Sequence, residues 1–551
     1  MNTDSKETNE GNETVSKQAS SNRINSPFKM QQAEKEIELQ RGNAKVTQSG
    51  VQWKGELCIM QHLDPAKVSW SFSRVSGEEQ IRFGKVELEF ESDNIKLEGS
   101  VTRIGGDRLN GYFKNGIERG TDHSLDSVTF HLGSFPCYFM GPAKTETLNC
   151  KATDWHETKL VANGWKVVLQ RDNSDPAKSW TWGALGRISR ADGKQFKKKR
   201  VKPLLEALRI FLSFAFARWC PPLLVTGANG ASDKSWQYWP TYNAEQFGNS
   251  RGWVDTFHTN RLVDAFPGFL NLWEKDEWQE PIELAVSWFV EASRPSSSID
   301  GTIANGQIPL EMLAWMKFVD EREIVRSSEF KNLSAISKIQ MLLASCDVPF
   351  DVPAELENLS SLSSTENVTG PELVVAVRNT TIHPSKTNRK KLAGWADKEG
   401  VEGQDIRWQS VLLFREYLTL VLLHQFSYSG EYARRLKNFP IPVSEPVPWA
   451  ADTTEYKIGR FVRDKFEVLF CEHRLNSTDL DNLCDAEYSK KVFGLHFSLL
   501  KRSSDLEDRF DENGHARYYS KLYYGNYLLC SQWYERNRGL LEKWLKAKER
   551  A

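Results

Sequence analysis

Apolar and charged positions alternate along residues 85–91. Val86, Leu88 and Phe90 stand between lysine and glutamate side chains, a two-residue period that predicts a β-strand with one buried face. Glycines separate further short runs of the same kind. The pattern predicts a β-sandwich-like region that begins near Val51 and gives way to helix near Ala191.

The most apolar stretch of the chain covers residues 204–225. Three charged residues, Glu206, Arg209 and Arg218, interrupt it, and two consecutive prolines end it. A membrane-spanning helix needs about 20 predominantly apolar residues with few charges. The stretch is therefore interpreted as a buried helix, and no signal peptide or membrane span is predicted.

Residues 219–278 are rich in aromatic side chains. Aromatic rings stack on nucleic-acid bases in some proteins, but they more often fill cores. We therefore predict that this segment packs in a core or between domains. The tryptophans concerned are Trp219, Trp236, Trp239, Trp253, Trp273 and Trp278.

The two ends of the chain differ from its middle. Residues 1–46 are polar, with few large apolar groups, and are predicted to be disordered because they bury too little surface to offset chain entropy. Residues 439–452 are rich in proline and are predicted to form a stiff linker. Residues 453–551 then show helical patterns and a small hairpin, which is consistent with a winged-helix-like module.

These patterns predict a multi-domain α+β protein. A β-rich N-terminal domain with an aromatic-rich helical end would cover residues 47–278. An all-α helical bundle would cover residues 279–438, and a small α+β module would occupy residues 453–551 at the C-terminus.

Composition restricts the function. The 551 residues carry 72 Lys and Arg against 73 Asp and Glu, so the net charge of −1 excludes a protein that coats nucleic acid through bulk charge. Eight cysteines are scattered without a Cys-x-x-Cys pair, a pattern typical of reduced cytoplasmic thiols rather than a zinc site. We therefore expect a cytoplasmic protein with no structural metal and no cofactor.

The most informative motif lies in residues 371–384. Arg378 and His383 form an Arg-x4-His unit, which combines a permanent cation with a side chain that exchanges protons near neutral pH. Leu373, Val374 and Val377 have helical spacing, and the preceding Pro-Glu pair is typical of a helix start. Two similar spacings, Arg251 to His258 and Arg509 to His515, lack this helical setting.

A helix break is needed between the two side chains. On a continuous helix, five residues would place Arg378 and His383 roughly 140° apart around the axis. Pro384 disfavours the helical conformation at His383, so the helix should end there. The imidazole would then be free to turn toward the arginine or toward a second copy of the motif.

The segment after the motif is basic. Lys386, Arg389, Lys390 and Lys391 occur before any acidic residue, a run that suits a phosphate backbone. The alternative interpretation, a solvated loop after a helix, stays open. These four residues are candidate RNA contacts.

The Arg-x4-His unit at a helix end, with Asn379 directly after the arginine, resembles the HEPN superfamily (higher eukaryotes and prokaryotes nucleotide-binding domain). Residues 308–315, 339–343 and 428–432 are similar to the bacterial ApeA-like branch of that superfamily, which is associated with antiphage defence by abortive infection. The resemblance covers about residues 280 to 437. It implies a helical bundle that dimerises so that two Arg/His pairs face one cleft.

The resemblance also implies a chemistry and a setting. His383 would accept the proton of a ribose 2′-hydroxyl, Arg378 would stabilise the charge on the transition state, and Asn379 would orient the histidine or a phosphate oxygen. The expected activity is a metal-independent endoribonuclease with the β-rich front half as the sensor of an unknown phage-derived trigger. Transfer RNA, messenger RNA and viral transcripts all stay open as substrates.

The alternative is a HEPN-like module that binds a nucleotide or a protein without catalysis. In that case the Arg/His pair would bind an anion and cleave nothing. Other catalytic classes lack their motifs, since the chain has no Walker loop, no dinucleotide fingerprint and no His-Glu-x-x-His helix.

Overall fold

The structure is a computed structural model with two compact units, residues 1–450 and residues 451–551. It describes residues 24, 36–63, 66–77, 80–92, 95–120, 123–133, 157–171, 182–230, 232–245, 252–254, 258, 260–294, 296–383, 385–436, 443–450, 458–471, 474–505, 517–523 and 526–549. The multi-domain α+β class predicted from sequence is confirmed at this level, with a β-rich N-terminal region and a helical region after it.

Six antiparallel strands at the start of the first unit close into a barrel in the order β1-β2-β3-β6-β5-β4. They are β1 Glu36–Gln48, β2 Val51–Leu63, β3 Ala66–Ser76, β4 Gly84–Phe90, β5 Lys96–Gly105 and β6 Arg108–Phe113. The predicted alternation is confirmed in β4, where Val86, Leu88 and Phe90 are buried. The prediction of a β-sandwich-like fold was wrong for this part, because the alternation shows which face is buried but not which strands pair.

The barrel also corrects the predicted tail. Strand β1 begins at Glu36, inside the segment expected to be disordered, and Ala44 and Val46 point into the barrel core. The segment has few large apolar residues and was therefore predicted to be disordered. Two apolar residues at alternate positions are nevertheless enough to bury one face of a strand. Ile24 is also buried, and its backbone N–H donates to Gln170. The rest of the predicted tail before Glu36 lies outside the described residues.

One glycine shows how closely the barrel packs. A Cβ at Gly111 in β6 would lie 2.0 Å from the carbonyl oxygen of Ser100 and 2.4 Å from the Trp70 ring. Trp70 therefore occupies the space that a side chain at residue 111 would need.

A seven-stranded antiparallel sheet follows, in the order β7-β13-β12-β8-β11-β10-β9. Its strands are β7 Ile117–Gly120, β8 Ser127–Gly133, β9 Glu157–Ala162, β10 Trp165–Arg171, β11 Trp182–Arg190, β12 Pro222–Asn229 and β13 Ser232–Trp239. Helix α1, Lys198–Phe216, lies between β11 and β12 in the chain and is buried along most of its length. The apolar stretch at residues 204–225 was interpreted as one buried helix, but it contains most of α1 and then the start of β12.

Nine helices of the first unit follow the sheet within the described residues. They are α2 Asn260–Trp273, α3 Asp276–Ser293, α4 Ile299–Trp315, α5 Ser327–Asn332, α6 Ala335–Ala344, α7 Glu357–Glu366, α8 Gly370–Ile382, α9 Lys386–Glu399 and α10 Gly403–Gln425. A π-helical turn, Met316–Glu321, extends α4. No described helix has both the length and the hydropathy that crossing a membrane requires.

One continuous core joins the sheet to these helices. It contains Phe130 from β8, Phe211 from α1, Trp278 from α3 and Leu413 from α10, so packing continues across the domain boundary expected at residue 278. The predicted core role of the aromatic-rich segment is confirmed, because Trp236, Trp239, Trp253, Trp273 and Trp278 are buried.

The proline-rich segment is part of the first unit where the structure describes it. Strand β15, Val443–Pro446, pairs with β14, Glu431–Arg434, and Val447 is buried. The predicted stiff linker was therefore wrong for residues 443–450, because the extended backbone that prolines favour also suits an edge strand. Residues 439–442 and 451–452 lie outside the described residues.

The second unit has its own core, which contains Phe466, Phe493 and Leu541. Its helices are α11 Ile458–Cys471, α12 Ser477–Leu483, α13 Ala486–Phe493 and α14 Arg538–Glu549. Strands β16 Leu500–Arg502, β17 Tyr518–Tyr523 and β18 Tyr527–Cys530 form a sheet in the order β16-β18-β17. The predicted mixture of helices with a small hairpin is confirmed, and the winged-helix assignment stays a prediction.

Candidate functional site

Helix α8 carries the Arg-x4-His unit and begins with a firm cap. The N–H and the hydroxyl of Thr369 both donate to the Glu372 carboxylate, at 2.7 and 2.8 Å. These hydrogen bonds, first of all that from the Thr369 N–H, hold the pKa of Glu372 below its ordinary value. The helix start predicted at the Pro-Glu pair is confirmed.

One face of α8 is buried in the core of the first unit. Leu373, Val374 and Val377 are fully buried, as their spacing predicted. The helix packs against α4, α6, α7, α9 and α10. Because α8 is enclosed by neighbours, the last turn that bears the motif is held on a rigid frame.

Arg378 lies in the last turns of α8 and is half-buried. Its Nη1 donates to Oδ1 of Asn379 at 3.3 Å. Its Nε is buried and has no hydrogen-bond acceptor among the described residues. A guanidinium offers five N–H donors in a planar fork, so Arg378 keeps donors that suit the oxygens of a phosphate.

His383 lies immediately beyond the helix. Ile382 is the last helical residue, and His383 has φ −119° and ψ 74°, which confirms the predicted helix end. Its N–H donates to the carbonyl oxygen of Asn379 at 3.1 Å, and its side chain is exposed. Pro384 lies outside the described residues, so its predicted role in the break stays a prediction.

The described contacts do not join the two side chains of the motif directly. No hydrogen bond between the Arg378 guanidinium and the His383 imidazole is found among the described residues. Asn379 contacts the arginine, whereas the sequence left its partner open between the histidine and a phosphate.

The basic run forms the first turns of α9. Lys386, Arg389, Lys390 and Lys391 are exposed, and Nζ of Lys391 lies 4.7 Å from the centre of the Trp395 ring. The alternative interpretation as a loop was wrong, because the backbone is helical from Lys386 onward. The Ser385 hydroxyl caps this helix by accepting from the Asn388 N–H at 3.2 Å.

This placement has an electrostatic consequence. The N-terminus of a helix carries partial positive charge, and here no acidic residue stands in the first turn to compensate it. Adding four basic side chains near the same end makes the region repulsive to cations and attractive to anions. The start of α9 and the end of α8 thus form one electropositive corner beside His383.

Asn388 is a residue that the sequence did not single out. Its side-chain Nδ2 donates to the carbonyl oxygen of His383 at 2.6 Å and to that of Asn379 at 3.2 Å. A Ser-x-x-Asn spacing directly after the histidine was the available signal, since it places an amide in the first turn of the next helix. The structure alone shows that this amide reaches back to α8.

The other segments that resemble the ApeA-like branch have structural roles in the described residues. Residues 308–315 end α4, and residues 339–343 lie in α6. The hydroxyl of buried Tyr428 donates to the carbonyl oxygen of Glu431 at 2.5 Å, and that of Tyr432 donates to Glu416. These residues support the bundle around α8 rather than the site itself.

An ionic cluster around the buried Glu416 ties the β14–β15 hairpin to the helices. The Arg434 guanidinium donates to Glu416 at 3.1 Å, Glu355 at 3.1 Å and Glu445 at 2.7 Å. Burial raises the pKa of Glu416, which has only Tyr432 and Arg434 as described hydrogen-bond partners. The cluster stabilises the fold, and it lies apart from the Arg-x4-His unit in the chain.

The two other Arg/His spacings form no comparable site in the described residues. His258 is half-buried and lies just before α2. Arg251, Arg509 and His515 lie outside the described residues. Only the copy at residues 378–383 is described at both of its positions.

Two domain models and one curated protein are similar to the chain. Residues 275–446 match the model of the YopA C-terminal domain, and residues 120–250 match that of the YopA central domain. The chain is 23% identical over 373 residues to the SPbeta prophage-derived uncharacterized protein YopA of Bacillus subtilis (strain 168), which covers 65% of this chain and 80% of that protein. No solved structure matches the chain. The candidate site thus lies in the part of the chain that is similar to the YopA C-terminal domain.

Proposed function

We propose that this protein is a metal-independent endoribonuclease that uses Arg378 and His383. One observation carries the proposal: α8 ends between the two residues, so that His383 is exposed beside the electropositive start of α9 while Arg378 stays anchored in the helix. A proton acceptor and a fixed cation next to a phosphate-attracting corner are the groups that RNA cleavage by the 2′-hydroxyl requires.

The chemistry follows from the two side chains. The neutral imidazole of His383 takes the proton from a ribose 2′-hydroxyl, and the freed oxygen attacks the adjacent phosphorus. Arg378 stabilises the negative charge that develops on the phosphoryl oxygens. The bond from phosphorus to the 5′-oxygen breaks, and the proton held by the His383 imidazolium passes to that oxygen, directly or through water. The products are a 2′,3′-cyclic phosphate on one fragment and a 5′-hydroxyl on the other.

The exposed cations of α9 would hold the RNA backbone. The side chains of Lys386, Arg389 and Lys390 are exposed and have no described hydrogen bond or ion pair, so they are available for phosphate contacts. Lys391 lies over the Trp395 ring and is partly committed to that contact. Binding through these side chains positions the strand without reading its sequence.

A homodimer fits the geometry of the motif. The resemblance of the motif to the HEPN superfamily is what supports a second copy that supplies the facing pair. In the proposed dimer, two α8 helix ends line one cleft, and the RNA lies between them.

The biological setting is proposed from similarity. The relative named above is prophage-derived, which fits a protein that acts in conflict between phages and bacteria. We propose that the nuclease serves abortive infection, with residues 47–278 as a regulatory part that responds to a phage-derived trigger. Its place of action in this proposal is the cytoplasm.

Expression in bacteria tests the function. Wild-type protein and His383→Ala are produced at equal levels, with and without phage challenge, and growth and total-RNA integrity are compared. RNA fragments with cyclic-phosphate ends in the wild type alone are expected, and they should persist when the purified protein is assayed with a metal chelator. Intact RNA in both strains, with folded protein and phage protection unaffected by the substitution, would overturn the proposal.

A binding module without catalysis is the second candidate. The observation that favours it is the guanidinium of Arg378, which is already bonded to Asn379 and whose Nε is buried. Such a group can bind an anion at a helix end without any proton transfer. In that case a single-stranded RNA oligonucleotide would bind the wild type and would be recovered uncut.

A further inference from the structure

Asn388 connects the two ends of the Arg-x4-His unit. Its amide Nδ2 lies 2.6 Å from the carbonyl oxygen of His383 and 3.2 Å from that of Asn379, the neighbour of Arg378. One NH₂ group therefore contacts both residues that flank the turn at the end of α8. The carbonyl oxygen of Asn379 also accepts the N–H of His383 at 3.1 Å, so Asn388 adds a second donor to it.

The same carbonyl of His383 receives a second donor. The N–H of Ser385 donates to it at 2.7 Å. Both donors belong to the segment that starts α9, so the peptide group after His383 is held from two positions. Rotation about ψ of His383 would break both hydrogen bonds at once.

Asn388 is itself held in place. Its backbone N–H donates to the Ser385 hydroxyl at 3.2 Å, and its side chain is half-buried in the first turn of α9. Helix α9 packs against α8 and α10. The amide is thus attached to a rigid element, and it transmits the position of that element to the backbone of His383.

We infer that Asn388 is a positioning residue of the Arg378/His383 site, whose side-chain amide fixes the backbone of His383 and with it the point from which the imidazole extends. This inference rests on the proposed ribonuclease function for its effect on rate. Asn388 does not reach the reacting atoms, and it acts only through His383.

The reason for such a device is the exposure of His383. An exposed imidazole outside a helix has free rotation about its side chain and no neighbouring ring or carboxylate among its described contacts. Catalytic groups misplaced by about 1 Å lose on the order of 100-fold in rate. A fixed backbone removes one source of that displacement, so the site needs Asn388 even though the residue touches no substrate.

Asn388→Asp is the sharpest test. A carboxylate has the shape of the amide but offers no N–H, and it would place a negative charge against two carbonyl oxygens. We expect kcat for RNA cleavage to fall about 10- to 100-fold with KM little changed, because the cations that bind RNA stay in place. Asn388→Ala removes the donor without adding charge and should show a smaller loss of the same kind. Asn305→Asp, on the exposed side of α4, is the matched control and should leave both constants unchanged.

A spectroscopic readout separates this inference from the proposed function. NMR spectra of the full-length protein with labelled histidine are recorded, and the His383 signal is identified by its loss in His383→Ala. The signal is expected to shift and broaden in Asn388→Asp and Asn388→Ala, while the signals of the other histidines and the unfolding midpoint stay unchanged. A purely structural role would shift the unfolding midpoint without this selective change.

The outcomes are distinct. Cleavage by the wild type that is lost in His383→Ala but kept in both Asn388 variants, with an unchanged His383 signal, overturns the positioning role and leaves the ribonuclease intact. A folded wild type that cleaves no RNA overturns the proposed function, and the His383 signal then decides alone whether Asn388 fixes the histidine. If Asn388→Asp does not fold, the cleavage kinetics and the His383 signal are both judged from Asn388→Ala.

Discussion

Nη1 of Arg378 donates to Oδ1 of Asn379 at 3.3 Å, so these adjacent residues form one polar unit at the end of α8. The amide oxygen of Asn379 therefore faces the arginine and not the imidazole of His383. The contact restricts the guanidinium while leaving its other donors available, which suits a cation that must meet a phosphate in one orientation.

Arg378→Ala and His383→Ala should each abolish RNA cleavage without unfolding the protein. Loss of a positioned acid–base group costs about 100- to 10,000-fold in rate, and loss of a charge-stabilising donor costs about 100- to 1,000-fold. Single-turnover cleavage of a labelled single-stranded RNA measures both effects. Circular dichroism at the same concentration checks that the fold is kept.

Arg378→Lys is the informative intermediate. It keeps the charge but loses the planar fork, so partial activity is expected. His258→Ala and His515→Ala serve as controls and should cleave like the wild type. A requirement for His258 would show that the wrong Arg/His pair had been chosen.

Neutralising the start of α9 should weaken RNA binding and lower its salt dependence. In the triple variant with Lys386, Arg389 and Lys390 changed to Gln, the slope of log binding constant against log salt concentration should fall by about 2, since each lost contact with a single strand contributes about 0.7. Fluorescence anisotropy with an uncleavable RNA analogue measures the slope.

The matched control removes the same charges from the barrel. Lys54, Lys67 and Arg108 are exposed, and changing them to Gln should leave the slope at its wild-type value. Equal slopes for the two triple variants would mean that the α9 cations do not contact RNA.

Glu372→Gln should destabilise the start of α8 in a pH-dependent way. The pKa of Glu372 in the folded chain lies below its ordinary value of 4.5, because the Thr369 N–H and hydroxyl donate to the carboxylate. The unfolded chain therefore binds the proton more readily, so the stabilisation is full above pH 4.5 and is lost as the pH falls through the lower, folded-state pKa. Glutamine keeps an acceptor oxygen for the Thr369 N–H but loses the charge, so the change should cost about 0.3–1 kcal/mol at neutral pH.

Thermal unfolding midpoints of wild type and Glu372→Gln, measured from neutral pH into the acid range, check this dependence. The difference between the two unfolding midpoints should be largest near neutral pH and should disappear in acid. Glu357→Gln, an exposed change in the first turn of α7, is the control and should show little gap at any pH. A gap for Glu372→Gln that widens on acidification would contradict the assigned hydrogen bonds.

Arg434→Met should strongly destabilise the first unit. It leaves the buried carboxylate of Glu416 without its cation, and breaking one partner of a buried ion pair costs about 3–5 kcal/mol. Denaturant unfolding measures the loss.

Adding Glu416→Gln to Arg434→Met should recover part of the lost stability, because the uncompensated charge is then gone. Arg326→Met on the surface is the control and should have little effect. Additive losses in the double variant would show that the two groups do not interact.

Local signals in the sequence were sufficient for α8. Its start at the Pro-Glu pair, its buried positions Leu373, Val374 and Val377, and its end before His383 all depend on residues a few positions apart. The strand alternation of β4 and the main elements of the second unit were predicted for the same reason. The candidate site residues follow from this local information, and their catalytic role stays a prediction.

Contacts between residues that are far apart in the sequence could not be predicted from such local signals. Arg434 meets Glu355 across 79 positions, and the barrel closes through the pairing of β1 with β4. Neither relation leaves a local pattern, because the partners come together only when the core has formed. For the same reason residues 443–450 were mistaken for a linker, although a strand and a proline-rich spacer share one extended backbone.

What the sequence determined by itself was the chemistry: an arginine and a histidine at a helix end, followed by four cations. What only the tertiary structure decided was their placement, namely that the cations begin a helix, that Asn379 contacts Arg378, and that Asn388 holds the backbone of His383. The physical reason is that residue types and short-range capping act within one or two helical turns. The relative position of α8 and α9 depends instead on the packing of both helices against the rest of the bundle.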